Sequence, residues 1–79
     1  MKYLIESNYN SIVKRGLINS HTKFKEFIDK LDEEVNEYKE SNEPEELADI
    51  ILVCLNIAKH YDIDIETELK NKITKNYER

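Results

Sequence analysis

The sequence predicts an all-α fold, a helical bundle of about four helices. Three observations predict it. One Gly and one Pro among 79 residues are too few for the many tight turns of an all-β architecture. Charged residues make up 37% and apolar residues 39%, the balance of amphipathic helices rather than of a disordered tail. Apolar residues also recur at steps of three and four, the period of a helix face. The length fits a single domain, residues 1–79.

The first helix is expected over Tyr3–Lys14. Gly16 follows, where a helix end wants a residue with positive φ, and Leu17 and Ile18 supply its hydrophobic contact. Asn19, Ser20 and Thr22 read as a loop, with Ser20 or Thr22 as the next N-cap. The second helix is expected over Lys23–Glu40, with Phe24, Phe27, Ile28, Leu31, Val35 and Tyr38 on one buried face. Residues 41–44 form a short break, and Pro44 suits the first turn of a helix. The third helix is expected over Glu45–His60. Between residues 47 and 58 only Asp49 and Asn56 are not apolar, which predicts a central, buried helix. Asp64 is the expected N-cap of a fourth helix running from Ile65 to the end, with Ile65, Leu69, Ile73 and Tyr77 as its ridge. Short loops make antiparallel packing the simplest arrangement.

The net charge of −5 is unevenly spread. Residues 26–49 carry eleven acidic and two basic side chains, which repel nucleic acid. Neither end has the dense Lys/Arg cluster of a nucleic-acid or membrane patch. The longest apolar run, Ile50–Leu55, is too short to span a bilayer. A charge at Glu6 interrupts any signal peptide, so the expected compartment is the cytoplasm. The single cysteine, Cys54, excludes an internal disulfide and a Cys-based zinc site, and its apolar neighbours predict a buried, inert thiol. A core this small barely offsets the entropy of ordering, so a homo-oligomer is expected to complete it.

Most acidic residues suit solvated helix faces, and Glu26 and Lys30 have the spacing of an i,i+4 pair. Two pairs differ. Glu34 and Glu37 share a face beside the buried stripe, and Glu46 and Asp49 share a face of the most apolar helix. An antiparallel hairpin can bring the four together. Two like charges about 5 Å apart at an effective dielectric of about 20 repel by about 3 kcal/mol. Such a cluster needs protons, counter-charges or a cation, and all-oxygen donors favour Mg²⁺, Mn²⁺ or Ca²⁺. On the residues alone a metal site and ordinary solvated Glu pairs both stand. A di-iron site is excluded, because the residues three before His21 and His60 are Ile18 and Ile57, not Glu. Lys30 lies on the face of Glu34 and Glu37. Lys72, Asn76 and Arg79 form a basic stripe on the last helix, read either as a phosphate-binding surface or as a helix end complementing its dipole.

Lys30-Leu31-Asp32-Glu33-Glu34-Val35-Asn36-Glu37 resembles the first motif of the MazG-like nucleoside triphosphate pyrophosphohydrolases, and Glu45-Glu46-Leu47-Ala48-Asp49-Ile50 the second. Residues 61–66, leading to Lys72, Asn76 and Arg79, resemble the closing helix. The resemblance covers residues 24–79. It implies an all-α bundle working as a dimer or tetramer. It also implies Mg²⁺-dependent (Mn²⁺ is the alternative) cleavage of nucleoside triphosphates to the monophosphate and pyrophosphate. Glu34, Glu37, Glu46 and Asp49 would be metal ligands, and Glu33 and Glu34 the catalytic carboxylates. Lys30, Lys72, Asn76 and Arg79 would bind the substrate phosphates. The chain departs from the family in having only eight residues between Glu37 and Glu46, a tight hairpin. The competing expectation is a non-catalytic relative, an oligomerisation or nucleotide-binding module.

Overall fold

A computed structural model describes residues 1–79. The fold is an all-α helical bundle with no strand: α1 (Lys2–Lys14), α2 (Phe24–Ser41), α3 (Pro44–His60) and α4 (Ile65–Tyr77). Each helix begins or ends within a residue or two of its expected limits, because the stops are chemical. Gly16 takes φ 77°, a value L side chains avoid, and the backbone N–H of Leu17 reaches back to the Ile12 carbonyl at 3.2 Å. Asn42 closes α2 in the left-handed region at φ 57°, with its N–H on the Tyr38 carbonyl at 2.8 Å. Pro44 then opens α3 where its missing N–H costs nothing.

The α2 cap differs from expectation. Lys23, not Ser20 or Thr22, is the N-cap, and the Glu26 carboxylate accepts its backbone N–H at 2.6 Å. Thr22 is occupied inside the loop, where its hydroxyl accepts the Asn19 N–H. Committed to the cap, Glu26 does not pair with Lys30, which turns to Glu34 instead.

The α3 helix is central, packing along α2 on one side and α1 on the other. Phe27, Val53, Leu55 and Ala58, with Ile18 from the loop, form the buried apolar core. The His60 ring lies 4.7 Å from that of Phe27 and 5.0 Å from that of Tyr61. Its Nδ1 and Nε2 meet the Tyr9 hydroxyl at 2.9 Å and the Thr22 carbonyl at 3.1 Å, tying α1 and the first loop to the end of α3. Both imidazole nitrogens are thus used structurally.

No other helix packs along α4. Its ridge is open: Leu69, Ile73 and Tyr77 are all exposed. The Cα radius of gyration, 13.7 Å, exceeds the roughly 12 Å of a compact chain of this length, as a projecting helix requires. The expected burial of Cys54 is also wrong. Cys54 is exposed, as are Leu47 and Ile51, all on the face of α3 turned away from α1 and α2. A helix apolar all round has more faces than two neighbours cover. No helix is long and apolar enough to cross a membrane.

The cap of α4 is as expected. The Asp64 carboxylate accepts the Thr67 N–H at 3.1 Å and its hydroxyl at 2.8 Å, and these bonds hold the Asp64 carboxyl below its usual pKa. Asp64→Ala is expected to fray α4 without loosening the remainder. Far-UV circular dichroism should lose helical signal at 25 °C, while the urea midpoint of the remaining helices holds. A lowered midpoint would mean that α4 is coupled to the core.

Candidate metal centre

The tight α2–α3 hairpin sets two acidic rows against each other. One carboxylate oxygen from each of Glu34, Glu46 and Asp49 lies within 4.8 Å of the other two. Glu34 is 6% exposed, held on the inner face of α2 by the same periodicity that buries Phe27. Glu46 and Asp49 are half-buried on the first two turns of α3. Two oxygens in the group, Glu34 Oε2 and Glu46 Oε2, are buried without a hydrogen-bond partner. A buried carboxylate oxygen without a donor is costly, and either a proton or a hard cation relieves that cost.

Glu37 flanks the triad and is half-buried. Hydrogen bonding to Glu34, then partial burial, then the charges of Glu34, Glu46 and Glu33 push its carboxyl up to about 7. The Lys30 ammonium contacts Glu34 Oε1 at 3.0 Å and Glu33 Oε2 at 3.6 Å, and its pKa is raised chiefly by the Glu34 bond. Glu33 itself is exposed on the outer edge of this group. Lys72 and Asn76 are exposed on α4 and Arg79 is exposed just past its end, and α4 packs along neither α2 nor α3. Within one chain they are not brought to the carboxylates.

A cleft of about 540 Å³ opens beside the triad, between α1, α2 and α3. Glu34, Asp49 and Lys30 form part of its wall, and Asn8, Arg15 and Asn56 bring further polar groups. The sequence reading missed Asn8 and Arg15. Asn56 carried a signal, being one of two polar residues in the apolar stretch of α3.

The raised Glu37 pKa has a testable consequence. Its folded value lies above the ordinary 4.5, so the folded protein binds more protons than the unfolded chain between about pH 4.5 and 7. Metal-free protein should therefore lose stability as pH rises through that window. A divalent cation on the triad would displace the Glu37 proton, so apparent Mg²⁺ affinity should strengthen from pH 6 to pH 8. Thermal melts at both pH values, with and without Mg²⁺, check both statements. A pH-independent Mg²⁺ effect equal to that of general salt would contradict them.

Comparison of the chain with protein-family models, curated proteins and solved structures gives no match.

Proposed function

We propose that the protein is a Mg²⁺-dependent nucleoside triphosphate pyrophosphohydrolase, cleaving (d)NTP to (d)NMP and pyrophosphate. The observation that carries this reading is the carboxylate triad with two buried, unpartnered oxygens. The motif resemblance at Lys30–Glu37 and Glu45–Ile50 supports it. Glu34, Glu46 and Asp49 would hold the ion, with Glu37 completing the set once it loses its proton. The ion, Mg²⁺ or Mn²⁺, would supply charge neutralisation for the triphosphate and acidify a bound water. Glu33 or Glu34 would accept the proton of the attacking water. Lys30 would exchange part of its bond with Glu34 for a phosphate oxygen, opposing the negative charge that builds up there.

Lys72, Asn76 and Arg79 enter this reading through a second copy of the chain. The exposed ridge of α4 and the open face of α3 at Leu47, Ile51 and Cys54 are apolar surfaces that a homo-oligomer would cover. The basic end of α4 is complementary in sign to the acidic hairpin. Sedimentation at micromolar concentration should give a dimer or tetramer, and a stable monomer would remove these three residues from the site.

The test of function is product analysis after incubation with Mg²⁺, then Mn²⁺, against a panel of ribo- and deoxyribonucleoside triphosphates. Monophosphate plus pyrophosphate is the expected result. Metal-dependent stabilisation with no turnover across the panel would favour the second reading, a non-catalytic nucleotide-binding module. That alternative is favoured by the tight turn at residues 42–43.

A further inference from the structure

Glu34, Glu37, Glu46 and Asp49 share a single counter-charge. Lys30 alone among the cationic groups forms an ion pair with any of them. Its ammonium stands 3.0 Å from Glu34 Oε1, while Glu34 Oε2 and Glu46 Oε2 are buried without a partner. The neutralisation is therefore incomplete. The contact is also easily exchanged. Glu34 is fixed on the inner face of α2, whereas the Lys30 side chain is 53% exposed on a flexible four-carbon stem. Glu33 Oε2, itself exposed, offers the ammonium a second position at 3.6 Å. The cleft that Lys30 lines offers no third position outside the triad. There Glu26 is bonded to the Lys23 N–H at 2.6 Å, and Asn8 Nδ2 donates to Asn56 Oδ1 at 2.7 Å.

We propose that Lys30 is an autoinhibitory counter-cation, holding the Glu34 oxygen that a divalent cation needs until its ammonium shifts to Glu33. Two cations on one carboxylate repel each other. The charge of Lys30 thus lowers the affinity of the triad for a divalent cation, and a bound cation loosens Lys30 by the same factor. An anionic ligand that draws the ammonium away raises the cation affinity in turn, so cation and anion load together. The inference rests on the metal site of the proposed function, but not on hydrolysis. It is the opposite of a positioning role, in which Lys30 would orient Glu34 for the cation and its loss would weaken binding.

The test is calorimetric titration of the metal-free full chain with Mg²⁺ at pH 8. That pH lies above the Glu37 value of about 7, so a proton there does not compete. Wild type is compared with Lys30→Gln, which keeps a donor without the charge, and with Lys30→Met, which keeps only the stem. Each variant should bind Mg²⁺ about tenfold more tightly than wild type, an ordinary size for coupling between two sites. Each should also have a lower metal-free Tm, because Glu34 loses its counter-charge. Tighter binding with lower stability separates competition from orientation of Glu34, whose loss would weaken both. Lys30→Gln tests the inference even if Lys30→Met fails to fold. Affinity unchanged or weakened in Lys30→Gln, with wild type binding Mg²⁺ and turning over, overturns the inference and leaves the hydrolase reading standing. Tighter binding in the variants with no turnover by wild type overturns the hydrolase reading and leaves the inference standing. No Mg²⁺ binding by any of the three proteins overturns both.

Discussion

Asp49→Asn is expected to lower turnover by about 100-fold or more and to abolish the Mg²⁺-induced rise in Tm. Asn keeps the shape of the side chain and one oxygen, but removes a full charge from a donor set whose members lie within 4.8 Å of one another. Loss of a partner even outside a metal's ligand set costs about 10- to 100-fold, and a direct ligand should cost at least as much. The fold should survive. In metal-free protein the substitution relieves repulsion with Glu34 and Glu46, about 3 kcal/mol per pair at close range and an effective dielectric of about 20, before screening. The metal-free Tm should therefore hold or rise. Equilibrium Mg²⁺ titration, thermal melts and product analysis on the same preparation give the answer. Full activity in Asp49→Asn would show that the site is assigned wrongly.

Phe27→Ala is expected to have the largest effect on stability. Phe27 is 4% exposed, and its ring lies 4.7 Å from that of His60 and 6.0 Å from that of Tyr61. Removing a buried aromatic ring costs about 3–5 kcal/mol. A chain of this size has a total stability of about 4–12 kcal/mol. The variant should melt about 15 °C or more below the wild type, or fail to fold at 37 °C. Phe27→Leu, which keeps most of the apolar volume, should recover most of the loss. Urea denaturation of the pair measures the difference. A Tm within a few degrees of wild type for Phe27→Ala would mean that the core lies elsewhere.

What the sequence disclosed follows the range of each interaction. Gly16, Pro44 and Asp64 act on their own turn, and their roles were legible as local chemistry. Glu34, Glu46 and Asp49 were legible because spacing on two helices joined by a short turn determines which faces meet. Cys54 was misjudged because an all-apolar stretch signals burial without saying which neighbour covers each face. The partner of Lys30 stayed open in the sequence because Glu26 and Glu34 both lie four residues away, and i,i+4 spacing cannot show that Glu26 is taken by the Lys23 N–H. Asn8 was invisible. Its partner Asn56 lies 48 positions away, and no pattern within α1 distinguishes Asn8 from an ordinary exposed amide. The basic stripe on α4 was legible as a stripe, but its distance from the carboxylates depends on how α4 docks.

The left-handed turn at Asn42 also bears on the order in which the molecule assembles. Glu34 and Asp49 are separated by fifteen positions and lie on either side of that turn. Closing so short a loop costs little chain entropy and takes well under a microsecond, so the carboxylates can meet as soon as α2 and α3 collapse on each other. The cleft is a late product by comparison, since its amide pair waits for α1 to return across most of the chain. Repulsion among the carboxylates then opposes the earliest folding step, and a cation that bridges them would accelerate folding as well as slow unfolding.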